Sequence, residues 1–107
     1  MQKVVIYTRV STKEQDYQRQ INELVKYTEQ HNFQLVKIFA EKGSGAKKNL
    51  ERPVLMEMIE FVKNKNINKV ISMEASRIGR SLLECLTIIQ TLTDNKVSLL
   101  IVNNSSC

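Results

Sequence analysis

The chain is poor in the residues from which special sites are often built. It has two cysteines, one histidine, one proline and three glycines in 107 residues. Cys85 falls in an apolar helical pattern and reads as core, while Cys107 is the last residue. No disulfide framework follows from such a pair, and no CxxC or Cys/His spacing points to a metal. His31 stands alone near the end of a helical pattern, so neither a metal set nor a histidine-based dyad is expected there. No apolar run approaches the roughly 20 residues of a membrane span. The opening MQKVVIYTR lacks the long apolar region of a signal peptide. These absences exclude the membrane and disulfide-scaffold classes, and a cytoplasmic protein is expected. Internal repeats and low-complexity segments are also missing. So are a phosphate-binding P-loop and a G-x-G-x-x-G dinucleotide fingerprint. No cluster of carboxylates suggests a two-metal nuclease.

What is present is a globular composition. Apolar residues make up 42% and charged residues 25%, within the usual range for a soluble domain. A chain of this length buries a real core as one domain without disulfides or metal. Sixteen Lys and Arg against eleven Asp and Glu leave a net charge of +5, with a pI near 9.4. That balance favours an anionic partner, nucleic acid first.

Along the chain, Val4–Tyr7 is a short β-branched run that reads as a buried strand. A helix is predicted from about Thr12 to His31, because Tyr17, Ile21, Leu24, Val25 and Thr28 recur on one helical face. Asn32 ends it. Leu35–Phe39 is a second strand. Residues 40–51 read as a basic loop, with Gly43-Ser44-Gly45 as its flexible centre and Lys47 and Lys48 after it. The loop fits either a solvated linker or a phosphate-facing flap. Arg52-Pro53 opens a second helix with proline in its first turn, and Leu55, Met58, Ile59 and Val62 form its apolar stripe. Val70–Met73 is a third strand, Glu74–Ser81 a polar connection, and a third helix runs to about Asn95. On that helix Leu82, Leu86 and Ile89 share a face. Val97–Val102 is a fourth strand.

Strands alternating with helices at this spacing predict an α/β fold: a doubly wound, mainly parallel sheet of four or five strands with helices on both faces. The simplest strand order is 2-1-3-4. Its switch point lies between strands 1 and 3, at their C-terminal ends, where open α/β sheets bind ligands. Strand 1 leads there to Arg9 and Ser11, and strand 3 to Ser76, Arg77 and Arg80. A helix N-terminus beside Ser11 attracts phosphate. The bland alternative is that Ser11, in the S-x-x-E run Ser11–Glu14, only caps the helix, and that Arg77 and Arg80 are solvated. Three guanidinium groups at one spot repel unless they share an anion, and a phosphate or phosphodiester fits their planar forks. Arg77 and Arg80, at i and i+3, point the same way on a helical turn. A serine attacking phosphorus needs such cations around the pentacoordinate oxygens, and no His or Asp partner of a hydrolase triad is visible near Ser11.

The pattern Tyr7-x-Arg9-Val10-Ser11-Thr12-x-x-Gln15, followed by Gln20, resembles the opening of the serine recombinases, the resolvases and DNA invertases. The similarity continues through Glu41-Lys42-x-Ser44-Gly45, Arg52-Pro53 and Ser76-Arg77-Ile78-Gly79-Arg80-Ser81, in order and across nearly the whole chain. The resemblance implies a resolvase-like catalytic domain over residues 1–107. In that reading Ser11 is the nucleophile toward a DNA phosphodiester, giving a 5′-phosphoserine link and a free 3′-hydroxyl. Arg9, Arg77 and Arg80 are the active-site arginines, Gln15, Gln20 and Ser76 polar supports, and Arg52 a further arginine. Lys47 and Lys48 are expected to meet the DNA. No metal or cofactor is implied. The partners implied are double-stranded DNA and, in the full-length protein, a homodimer and a synaptic homotetramer, with no membrane.

Two departures stand out. Many resolvases carry an aspartate where this chain has Ser76, so the charge expected beside Arg77 at that position is gone. Family members also continue into a long dimerisation helix and a DNA-binding domain, which residues 1–107 do not include, so this stretch by itself is expected to be inactive in recombination. The rival readings are a flavodoxin- or receiver-like module that binds a phosphorylated ligand, and a recombinase-like remnant without DNA chemistry.

Overall fold

The computed structural model describes residues 1–10, 14–42, 53–73 and 82–102, with side chains except those of residues 9, 10, 14–17, 42 and 53. The elements are β1 (Lys3–Val10), α1 (Glu14–Gln30), β2 (Gln34–Lys42), α2 (Pro53–Asn64), β3 (Lys69–Ser72), α3 (Leu82–Asp94) and β4 (Ser98–Ile101). The four strands form one sheet in the order β2-β1-β3-β4. Every pairing is parallel.

β1 is the centre of this arrangement. Val4, Val5, Ile6, Tyr7 and Thr8 are all fully buried, as expected of a parallel strand covered on both faces. Successive side chains go to opposite faces. Val5 and Tyr7 join Phe39 and Val70 under Leu55, Met58, Ile59 and Val62 of α2 and Ile88 and Leu92 of α3. Val4 and Ile6 join Ile71 under Leu24 of α1. Thus α1 covers one face while α2 and α3 cover the other. Right-handed crossovers require this split, because β1→β2 steps one way along the sheet and β2→β3→β4 the other.

Each helix returns to the sheet through the same local device. Asn32, Asn66 and Lys96 have φ of 57°, 55° and 62° after α1, α2 and α3. This is the left-handed turn that closes many helices. After α1 the Phe33 amide donates to Thr28 O at 3.0 Å, and after α3 the Val97 amide donates to Leu92 O at 2.8 Å. The residue behind each turn then drops into or against the core: Phe33, Ile67 and Val97. Two of the three turn residues are asparagine, which tolerates φ > 0. Lys96 has no such excuse.

The sheet agrees with the predicted order and, among the described residues, has four strands that are all parallel. Three expectations change. β1 extends to Val10 and β2 to Lys42, so Arg9 lies within the strand, and Ala40, Glu41 and Lys42 belong to β2 rather than to a loop. The β1–β2 ladder carries on through Thr8↔Ala40, Arg9↔Glu41 and Val10↔Lys42, because backbone pairing does not need apolar side chains to continue. On α3 the inward stripe is Cys85, Ile88 and Leu92. Leu82, Leu83 and Leu86 are exposed, since the sheet takes a different side of the helix from theirs. No helix among the described residues is long and apolar enough to cross a membrane.

Lys96 generates a direct test. Lys96→Gly should raise stability by about 0.5–1 kcal/mol, the strain of a left-handed non-glycine residue less the extra freedom of glycine when unfolded. Lys96→Ala should not. Urea unfolding reads this as a rise in midpoint at constant slope. A midpoint that stays put with glycine contradicts the cap reading.

Candidate functional site

Polar side chains inside the core have to be justified one by one, because each costs free energy unless hydrogen-bonded. The buried polar residues described are Thr8, Gln20, Thr28, Glu41 and Ser72. Thr28 is accounted for within α1, donating to Val25 O at 2.7 Å. The other four gather where β1, β2 and β3 approach their C-terminal ends and where α1 begins.

Two hydrogen bonds flank β1 there, one on each face. Tyr7 Oη donates to Glu41 Oε1 at 2.8 Å. Thr8 Oγ1 donates to Gln20 Oε1 at 2.7 Å. Tyr7 and Thr8 are consecutive, so the strand is tied to β2 on the α2/α3 side and to α1 on the other. The next residue is Arg9, which pairs in register with Glu41. Glu41 is only 8% exposed, and it stands two register positions beyond Phe39, the partner of Tyr7. On β3, Ser72 lies on the far side of β1 from Glu41. Its backbone carbonyl accepts from the Val102 amide at 3.0 Å, while its hydroxyl has no hydrogen-bond partner among the described residues.

This end of the sheet is the switch point, because β1 pairs with β2 on one side and with β3 on the other while α1 and α2 leave on opposite faces. Arg9 reaches it on the backbone of β1, though its side chain lies outside the description. Gln15 lies in the first turn of α1 under the same restriction. Gln20 is placed fully, buried on α1 and held by Thr8. β3, which the sequence carries on to Ser76, Arg77 and Arg80, ends at Ser72. Ser11, Lys47, Lys48, Arg52, Ser76, Arg77 and Arg80 lie outside the described residues.

Three participants were not singled out as site residues in the sequence: Tyr7, Glu41 and Thr8. Tyr7 and Glu41 entered only as parts of the recombinase-like pattern. Thr8 left a readable signal, being a polar residue that directly continues the apolar run Val4–Tyr7. Gln20 left another, standing at i, i+4 and i+8 with Leu24 and Thr28 on the buried stripe of α1.

Elsewhere, a groove of about 530 Å³ opens between α2 and α3, lined by Leu55, Ile59, Leu83 and Ile88 with Glu60 and Glu84 among its polar residues. Lys63, which also lines the groove, is paired with Glu60 at 3.7 Å, so these walls offer no surplus of positive charge to an anionic substrate. No group of three His, Cys, Asp or Glu side chains among the described residues could hold a metal ion.

The chain matches the family model "Resolvase, N terminal domain" over residues 4–106. It is 35% identical over 96 residues to the Tn917 resolvase of Enterococcus faecalis, covering 87% of this chain and 47% of that protein. The chain therefore spans about half the length of that relative. Among solved structures it is similar to the N-terminal catalytic domain of TP901-1 integrase, with a TM-score of 0.84, 34% identity, and coverage of 97% of this chain and 79% of that one. It is also similar to the C-terminal catalytic domain of ISC1926 TnpA, an IS607-like serine recombinase, with a TM-score of 0.83, 25% identity, and coverage of 94% and 70%.

The Tyr7–Glu41 bond is testable by itself. Tyr7→Phe keeps the ring and deletes the donor to a buried carboxylate oxygen, which should cost about 1–3 kcal/mol. Combined with Glu41→Gln, the two changes should be non-additive in urea unfolding. Additive losses would show that the two side chains stabilise the fold independently.

Proposed function

Because the chain belongs to the resolvase family of serine recombinases, as its N-terminal catalytic domain, we propose that it cuts and rejoins double-stranded DNA through Ser11. The observation that carries this is the delivery of Arg9 by β1 to the switch point, two residues before Ser11, in a strand fixed on both faces just upstream.

In this reading Ser11 Oγ attacks the phosphorus of a phosphodiester. The new Ser11 Oγ–P bond forms as the P–O3′ bond breaks, and the departing oxygen takes up a proton as a 3′-hydroxyl. The DNA stays attached as a 5′-phosphoserine ester. A 3′-hydroxyl from a partner duplex then attacks that phosphorus, and the serine leaves with its proton restored. One phosphate ester is exchanged for another at each step, so the bond energy is conserved and no nucleotide is consumed.

The arginines Arg9, Arg77 and Arg80 stabilise charge on the non-bridging oxygens, which grows in the transition state. Arg52 adds a further cation, and Lys47 and Lys48 contact the DNA backbone. Gln15, Gln20 and Ser76 support the cluster as neutral hydrogen-bonding groups. With serine in place of a carboxylate at position 76, the arginine cluster keeps its full positive charge and its appetite for anions. In the whole protein the working unit is a homodimer that pairs into a synaptic homotetramer, and its place of action is the cytoplasm.

In the whole protein carrying this chain, Ser11→Ala should abolish strand cleavage while leaving the fold intact, since a lost helix cap costs only about 0.5–2 kcal/mol. Arg77→Ala and Arg80→Ala should each lower the cleavage rate by roughly 10²-fold or more, by analogy with a lost oxyanion donor, with a smaller change in DNA binding. Cleavage assays alongside gel shifts check this. Cleavage surviving in Ser11→Ala would overturn the assignment, and equal loss of binding and rate would move the arginines to ground-state contacts.

A further inference from the structure

Two polar residues meet where the pattern of the fold asks for apolar ones. On β1 the buried residues facing α1 run Val4, Ile6, Thr8. On α1 the buried residues facing the sheet are Gln20, Leu24 and Thr28. Leu24 packs against Val4 and Ile6 in the ordinary way. One helical turn nearer the switch point the contact becomes Thr8 to Gln20, a hydroxyl on a carboxamide at 2.7 Å. Such a local break in the apolar pattern is expected at a functional site and uncommon away from one.

The pairing has a polarity. Thr8 is fully buried, so its hydroxyl proton has no access to water. The acceptor the structure gives it is Gln20 Oε1. If the carboxamide were turned over, its NH2 would face the hydroxyl, whose proton would lose the acceptor it has among the described residues, and an orphaned buried donor is costly. The threonine therefore selects one of two amide orientations. With Oε1 turned to Thr8, the NH2 end is the part of the carboxamide that can donate to another group.

We propose that Thr8 is a positioning residue of the anion site: its hydroxyl locks the Gln20 carboxamide with the NH2 end available to a phosphate group. A neutral donor suits this place. It binds phosphate oxygens without adding positive charge to the arginines of the proposed site. The proposal rests on the phosphate-binding reading of the switch point, and deepens it by assigning a role to a residue behind Gln20.

The test uses residues 1–107 with inorganic phosphate as the probe. Phosphate affinity is measured for the unaltered chain, Thr8→Val, Thr8→Ser, Gln20→Met and the double variant Thr8→Val/Gln20→Met. Side-chain amide resonances of Gln20 are followed in ¹⁵N spectra. Thr8→Val should weaken phosphate binding about tenfold or more, the lower end of the range for loss of one hydrogen bond to a charged group. Gln20→Met should do about the same. The double variant should be no weaker than either single one, because both remove the same donor. Thr8→Ser should recover most of the affinity, and phosphate should shift the Gln20 amide signals. If valine disturbs the fold, Thr8→Ala serves the same comparison.

Unchanged affinity in Thr8→Val and Thr8→Ala, with a loss only in Gln20→Met, would overturn the role of Thr8 while the phosphate site stands. So would losses that multiply in the double variant, or a change confined to melting temperature. Failure of the unaltered chain to bind phosphate would sink the phosphate-site reading and this proposal with it.

Discussion

A central parallel strand has no solvent-facing side, and most of this molecule follows from that constraint. β1 is paired along both edges and covered on both faces. Its first buried residues satisfy the environment simply by being apolar and β-branched. Its last ones cannot, because the strand must also lead into a charged residue, Arg9. The change is made over two residues, with Tyr7 and Thr8 each presenting a large or branched apolar body and a single hydroxyl. Each hydroxyl has a dedicated acceptor, one on β2 and one on α1. The strand's exit is thereby held against sliding or twisting toward either layer.

That rigidity matters for the chemistry proposed. An attacking oxygen misplaced by about 1 Å can lose two orders of magnitude in rate. A residue just beyond a strand inherits the strand's precision only if the strand end is itself fixed. The buried pairs around Tyr7 and Thr8 supply that fixation from within the domain. The α2/α3 side contributes differently. Its large apolar cluster under Leu55, Met58, Val62 and Leu92 sets the height of the sheet and leaves the polar end as the place where the pattern breaks.

Much of this was legible in the sequence. The β-branched run at Val4–Tyr7 and the stripe Leu55, Met58, Ile59, Val62 specified a covered strand and a packed helix. The spacing of elements gave the order 2-1-3-4 and so the switch point. Strand ends were not legible, because Thr8–Val10 and Ala40–Lys42 are held by backbone pairing, which leaves no hydrophobic mark. The inward face of α3 was legible only at Cys85, which reads as core and is buried. Leucines are plentiful on that helix, and only the position of the sheet decides that Ile88 and Leu92 are buried while Leu82 and Leu86 are exposed. The site pairs are a third case. Tyr7 with Glu41 and Thr8 with Gln20 are separated by 34 and 12 residues, and no local pattern joins residues so far apart. What the sequence did show was a polar residue at each of two core positions, Thr8 and Gln20. The arginine cluster itself, beyond Arg9, was read from the chain order and the family pattern.

The account stands or falls on where the DNA becomes attached. The most direct measurement is to trap the whole protein on a nicked crossover duplex, digest the product with trypsin and nuclease, and locate the nucleotide adduct by mass spectrometry. The account predicts a nucleotide joined through phosphate to the peptide of residues 10–13, on Ser11. An adduct on Tyr7 or on any other hydroxyl, or cleaved DNA that carries a free 5′-phosphate and no protein, would contradict it.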